Sequence, residues 1–434
     1  MRFALRLGYE GSARLARFGA SLARLLPAGD GKTLRALRAR SGIRGRYKDW
    51  AASHRDLSRP LLWMHAPSVG EGLQARPVLE LMRQKYPNLQ LAYTHFSPSA
   101  ESFARALDVD FRDYLPFDSG VDARAALDAL QPTALVFSKL DVWPTLSAIA
   151  HDRGVRLGLV SATLAVASSR RSRLATAILH DAYAVLDAVG AIDDADAARL
   201  IELGVRPDTI AITGDTRYDQ VWQRAQRVDR ASPTLSRLAS DRPTLVAGST
   251  WPADEQVLLA AFIAARRVAG NARLVIAPHE PTGAHLGPIE SWSRTEGLRL
   301  DRLDLANAAT DVVLVDRVGV LGDLYALADM AFVGGGFHDA GLHSVLEPAA
   351  FGAPVLFGPR HHASRDALLL VRDGGGRSVA DLASLTDALV TWLEDPIARR
   401  AAGGSARALV EKGIGAAERS LRVVERLLGA APTA

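Results

Sequence analysis

The sequence predicts an α/β protein made of two Rossmann-like, doubly wound units behind a basic amphipathic helix, and three observations carry that expectation. Short aliphatic and β-branched runs alternate with helical patterns along nearly the whole chain, as in parallel sheets covered by helices on both faces. The alternation fades once, across "QVWQRAQRVDRASPTLSRLAS", and then starts again. With 434 residues, 48% of them apolar and 23% charged, the chain exceeds one ordinary core, so two successive units are expected. They would face each other across a cleft, a favoured place for small-molecule sites. The expected boundaries are a basic segment over 1–50, a first unit over 51–221 and a second over 222–434.

The N-terminal segment holds the basic excess. Residues 1–48 carry twelve Lys and Arg against Glu10 and Asp30, a net +10 in a chain that totals +4, so the remainder sums to −6. Within "SARLARFGASLARLL", Leu15, Phe18, Leu22 and Leu25 recur at helical intervals and Leu26 widens the stripe, with Arg17 and Arg24 on the other side. Such a helix either packs on its own domain or docks on an anionic membrane surface. Its arginines alternate with leucines rather than with base-stacking aromatics, which argues against nucleic acid. No apolar run is long enough to cross a bilayer. Arg14, Arg17 and Arg24 would interrupt a signal-peptide core, so no cleavable signal is expected. Cysteine is absent; disulfides, thiolate zinc sites and cysteine nucleophiles are excluded, and the chain is compatible with the cytosol.

In the first unit "LLWMHA", "LQLAYTHF", "ALVFS", "RLGLVSA", "AVGAI" and "TIAITG" read as strands, with helices such as "ESFARALD" and "VDARAALDAL" between them. The stretch "LLWMHAPSVGEGLQARPVLELM" turns from strand to helix at Pro67, with Glu71 between Gly70 and Gly72. That turn belongs at the carboxyl edge of the sheet, where open α/β folds gather ligands. Glu71 in the first helical turn is either a carboxylate that caps and balances the helix dipole or a functional group.

The second unit runs through "PTLVAGST", "ARLVIAPH", "VVLVDR", "MAFVGGG" and "APVLFG". "AFVGGGFHDAGLHSVLEPAAFGAPVLFGP" is the most specific stretch of the chain. Gly334, Gly335 and Gly336 follow a strand and let backbone approach a ligand, and a helix starting near His343 or Ser344 would present amides to an anion. Glu347, one turn later, suits the hydroxyls of a ribose, so the stretch reads as a nucleotide site. Ser249 and Thr250 in "AGSTWPADE" cap a helix or hold phosphate oxygens. His279 and Glu280 in "VIAPHEP" form a surface turn or line the same cleft. His361 and His362 are adjacent, so their side chains diverge, and no spacing predicts a metal cage.

The motifs "HAPSVGE", "FSPSAES", "YLPFD", "KLDVW", "LVSA", "GDTRYD", "AGSTWPADE", "IAPHEP", "GGGF" and "LHSVLEPAAFGAPVLFGP" occur in that order. From about residue 40 onward the chain resembles the bacterial 3-deoxy-D-manno-oct-2-ulosonic acid (Kdo) transferases. The resemblance implies a GT-B glycosyltransferase that moves Kdo from CMP-Kdo to a lipid A precursor at the cytoplasmic face of the inner membrane, as a peripheral protein. It implies an inverting, metal-independent transfer with no cofactor beyond the donor substrate. Glu71 matches the family's catalytic base. Lys139, Asp141 and Arg217 match charged positions near the sugars, with Ser68, Gly70 and Arg76 in the same neighbourhood, and Glu347 matches the ribose ligand. Arg217 and Lys139 would hold the Kdo carboxylate or the acceptor phosphate. Ser249, Thr250, His279, Gly334 to Gly336, His343 and Ser344 would serve the nucleotide.

The chain also departs from the pattern. It has "KLDVWP" where some members have "ETELWP", and Asp141 is one methylene shorter than the glutamate of a second branch. Ser344 stands for the usual asparagine, and Thr163 stands near the position of an arginine. Rival readings are a UDP-sugar glycosyltransferase or 2-epimerase of the same fold, favoured less because of "SVGE" and "YLPFD", and a silent membrane-associated paralogue.

Overall fold

The computed structural model describes residues 8, 9, 11, 32–166, 168–339 and 341–429. The expected amphipathic helix over Leu15 to Leu26 lies outside these residues. The chain divides into two compact units, Met1–Gln220 with Gly415–Ala434, and Val221–Ile414.

The first unit is a seven-stranded parallel sheet: β1 (Leu61–His65), β2 (Gln90–His95), β3 (Phe111–Tyr114), β4 (Ala134–Ser138), β5 (Arg156–Ala162), β6 (Ala188–Ala191) and β7 (Ile210–Ile212). Its spatial order is β3-β2-β1-β4-β5-β6-β7. Every residue of β1, β2 and β4 is buried, because helices cover both faces; that is why these segments are apolar throughout rather than alternating. One face packs Trp63, Phe137 and Tyr183, and the other packs Leu62, Met64, Val136 and Val160.

The second unit repeats the plan with β8 (Thr244–Thr250), β9 (Arg273–Pro278), β10 (Leu300–Arg302), β11 (Val312–Leu314), β12 (Met330–Val333), β13 (Val355–Phe357) and β14 (Gly376–Ser378). Its order is β10-β11-β9-β8-β12-β13-β14. In each sheet the winding direction reverses beside the first strand, between β1 and β4 and between β8 and β12. A crevice opens at the carboxyl ends of the strands at such a reversal.

Both expected outer boundaries shift. Ile43 and Tyr47 of the helix Ile43–His54 enter the first core, and Arg40 is buried with its guanidinium donating to the carbonyls of Leu115 and Phe96. These residues therefore belong to the first unit rather than to a separate segment. At the other end the helix Ala416–Leu427 also returns to the first unit, instead of completing the second. Leu421, Val424 and Leu427 pack with Leu62 and Val160, and Asp219 accepts from the amides of Gly415 and Ala417 at 2.7 and 2.9 Å. Gly158 in β5 makes room for it, since a Cβ there would lie 2.4 Å from Leu427 Cδ1. Leu427→Ala is expected to cost the first unit about 2–5 kcal/mol, measured as a lower urea midpoint in equilibrium unfolding.

Candidate active site

In the first unit, Ser68 precedes the helix Val69–Lys85 and Glu71 lies in its first turn. The Ser68 side chain makes no cap hydrogen bond, and its Oγ donates to Glu71 Oε2 instead. Lys139 Nζ donates to Glu71 Oε1 at 3.2 Å, and Ser138 Oγ donates to the Glu71 carbonyl at 3.1 Å. Glu71 follows β1 and Lys139 follows β4, the two strands that flank the reversal. Lys139 takes φ 66°, a left-handed conformation that costs a non-glycine residue energy and often accompanies function. Burial pushes the Glu71 carboxyl up, but the Ser68 hydroxyl, the Lys139 charge and its own backbone amide outweigh it, so it titrates below the ordinary glutamate range. The Glu71 side chain is 18% exposed and that of Lys139 43%.

The two glycines beside Glu71 differ. A Cβ on Gly72 would meet Phe103 Cε1 at 2.5 Å, whereas one on Gly70 would meet nothing closer than Ser68 Oγ at 3.8 Å. Gly72 is a packing requirement, and Gly70 leaves space beside the carboxylate. Asp141 lies two residues beyond Lys139, and its Oδ2 faces His65 Nε2 at 3.0 Å and accepts from Trp143 Nε1 at 2.9 Å. Arg217 is turned onto the buried Asp215 by two hydrogen bonds of 2.8 and 2.6 Å, with Gln74 on the other carboxylate oxygen. Arg76 is not brought to Glu71. Five residues further along a helix is about 140° around its axis, and Arg76 pairs with Glu80 at 2.7 Å. Thr163 donates to Asp196 at 3.2 Å.

In the second unit, Ser249 ends β8 with φ 54°, and the glycine triplet follows β12, again flanking the reversal. Gly334 has to be glycine, because a Cβ would sit 2.2 Å from the Ser249 carbonyl oxygen. The amides expected to face a phosphate are, however, largely engaged within the protein. Gly334 N donates to the Gly248 carbonyl, Gly335 N to buried Asp254 at 2.7 Å, and Phe337 N to the same carboxylate at 3.0 Å. His343 N donates to the Gly334 carbonyl, and the helix begins later than expected, at Leu346. Thr250 is buried and spends its hydroxyl on Glu255 at 2.8 Å. Half-exposed Ser249 and exposed Ser344 keep their side chains at the surface.

The sequence reading missed a ring cluster here. Trp251 stacks on His338 with centroids 4.5 Å apart and 2° between planes, and on His279 at 4.6 Å; its Nε1 donates to His343 Nε2 at 3.3 Å. The sequence signal for it is the tryptophan of "STWP", Trp251, which follows the two hydroxyl residues. Burial and neighbouring His279 hold His343 below the ordinary histidine range. Half-buried Glu347 titrates above the glutamate range because burial outweighs the charge of Arg224. Among the described residues, no group of three or more His, Asp or Glu side chains could hold a metal ion.

Solved structures share this architecture. A putative UDP-N-acetylglucosamine 2-epimerase from Listeria monocytogenes matches with a TM-score of 0.63 at 14% identity over 86% of this chain and 98% of that one. UDP-GlcNAc 2-epimerase from Neisseria meningitidis matches with a TM-score of 0.63 at 14% identity, over 85% of this chain and 100% of that one. Likeness at that identity bears on fold alone, and the fold is that of the GT-B glycosyltransferases. Residues 37–220 match the family model described as 3-Deoxy-D-manno-octulosonic-acid transferase (kdotransferase). A 3-deoxy-D-manno-octulosonic acid transferase from Bordetella pertussis is 30% identical over 85% of this chain and 87% of its own length. One from Haemophilus influenzae is 28% identical over 68% and 70%. The chain belongs to the 3-deoxy-D-manno-octulosonic acid transferase family and is a glycosyltransferase.

Lys139→Met removes the charge and the hydrogen bond that, with the Ser68 hydroxyl, hold Glu71 below the ordinary glutamate range. The Glu71 carboxyl is expected to titrate at higher pH in this variant, measured by its side-chain carboxyl 13C shift.

Proposed function

We propose that this enzyme transfers Kdo from CMP-Kdo to a hydroxyl of a lipid A precursor of the lipid IVA type, in lipopolysaccharide biosynthesis, with Glu71 as general base. The observation that carries the reading is the Ser68–Glu71–Lys139 constellation at the reversal of the first sheet. Glu71 takes the proton of the acceptor hydroxyl while that oxygen forms a bond to the anomeric carbon. The bond to the CMP oxygen breaks on the opposite face, its electron pair leaves with the phosphate, and the centre inverts. Lys139, with the Ser68 hydroxyl, holds the carboxylate below its ordinary titration range before substrate arrives. If Lys139 then turns to the Kdo carboxylate or an acceptor phosphate, Glu71 loses a stabilising cation and becomes the stronger base.

Donor binding falls to the second unit. The Trp251, His279, His338 and His343 rings offer a platform for a base, Ser249 and Ser344 offer hydroxyls to phosphate oxygens, and Glu347 offers a carboxylate to the ribose. CMP is expected to raise the melting temperature more than UDP, and the reverse order would favour the UDP-sugar reading. The basic N-terminal segment would hold the enzyme on the anionic cytoplasmic face of the inner membrane. Deleting residues 1–26 is expected to reduce co-sedimentation with anionic vesicles, and unchanged sedimentation would refute that role. Among the described residues no helix is long and apolar enough to cross a membrane.

The decisive experiment is Glu71→Gln assayed with CMP-Kdo and a tetra-acylated lipid A precursor by mass spectrometry. Losing general-base help is expected to lower kcat by about 100- to 10,000-fold with the melting temperature retained. A folded Glu71→Gln enzyme working at the unmutated rate would sink the assignment.

A further inference from the structure

Asp141 stands on the irregular stretch between β4 and the helix Pro144–Asp152, where backbone alone fixes a side chain poorly. It is tethered from below. His65, at the end of β1, has no exposed surface. Its Nε2 is 3.0 Å from Asp141 Oδ2, and its Nδ1 is 3.0 Å from both the carbonyl and the hydroxyl of Thr94 in β2. Trp63 Nε1 in turn donates to that hydroxyl at 2.9 Å. The chain Trp63, Thr94, His65, Asp141 therefore roots a loop carboxylate in two fully buried central strands.

The proton positions follow from the partners. Burial would raise the Asp141 carboxyl, but the hydrogen bonds from His65 and the Trp143 indole and the charge of Arg170 outweigh it, so it titrates below the ordinary aspartate range. An ionised carboxylate only accepts, so Nε2 must carry a proton. This holds whether Nδ1 accepts from the Thr94 hydroxyl or donates to its carbonyl. His65 and Trp143 both spend their N–H on Oδ2, and Oδ1 faces Arg170 Nη2 at 3.6 Å, on a side chain that is partly exposed.

We infer that His65 is a positioning residue: it fixes Asp141 so that Oδ1 is presented, beside Lys139, as a hydrogen-bond acceptor for a hydroxyl of the acceptor sugar. The inference rests on the transferase reading given above. Glu71 takes the reacting proton, and Asp141 orients the sugar that carries it.

Two isosteres separate this role from a structural one. His65→Gln keeps an N–H near the place of Nε2, whereas His65→Asn reaches only toward Thr94. Steady-state kinetics with each substrate varied in turn are expected to show His65→Asn lowering kcat/KM for the lipid acceptor by about 10- to 100-fold, the range of a hydrogen bond to a charged group. The KM for CMP-Kdo should stay unchanged, and His65→Gln should recover most of the loss. The double variant His65→Asn with Asp141→Asn should be no slower than Asp141→Asn alone. If His65→Asn does not fold, Trp143→Phe, which removes the other donor to Oδ2, should show the same acceptor-specific loss. Unchanged acceptor kinetics in a folded His65→Asn enzyme, or losses that multiply in the double variant, would overturn the inference and leave the transferase reading intact. Unmutated enzyme that moves no Kdo would overturn the transferase reading and the acceptor role of Asp141 with it.

Discussion

The reversal of winding beside the first strand of each sheet is the constraint on which the rest depends. At that point neighbouring strands send their chains to opposite faces, and no connection covers the carboxyl ends between them. In the first unit Glu71 and Lys139 come from the two strands that flank the gap, and in the second Ser249 and Gly334 do the same. Of the four non-glycine residues with positive φ among the described residues, Lys139 and Ser249 lie at these reversals, while Ser161 lies near the end of β5 and Gln131 caps a helix. The strands are packed on both faces, and so the polar groups at their ends are held in place by the hydrophobic core beneath them.

The two sites use charge in opposite ways. In the first unit Glu71 and Asp141 receive enough donors to lie below their ordinary titration ranges despite burial. In the second, burial wins at Glu255 and Glu347, which lie above theirs. For Glu71, the proposed base, a low titration range means the carboxylate is ionised before it meets a proton donor.

Legibility in the sequence followed burial. Eleven of the fourteen strands stand out as apolar runs, and the three that do not, β3, β10 and β14, all lie at sheet edges, where one side lacks a neighbour and the apolar signal thins. Glu71 and Lys139 could be named from their motifs, and the reversal explains why they meet. The partners of Arg76 and of the glycine amides could not be read. They depend on helix phase in one case, and in the other on a buried aspartate, Asp254, that looks like an ordinary first-turn acid in sequence. The destination of the helix Ala416–Leu427 was equally hidden, since an apolar stripe says that a helix packs but not on what.

That returning helix makes the second unit an insertion in the first, entered after Gln220 and left at Gly415. On the ribosome, synthesis proceeds from the N-terminus and domains fold as units. The residues of Val221–Ile414 are all available before Leu421, Val424 and Leu427 emerge, so the second unit can complete its core while the first still lacks one wall over Leu62 and Val160. The half of the enzyme that is translated first therefore needs a helix translated after the whole second unit to complete its core.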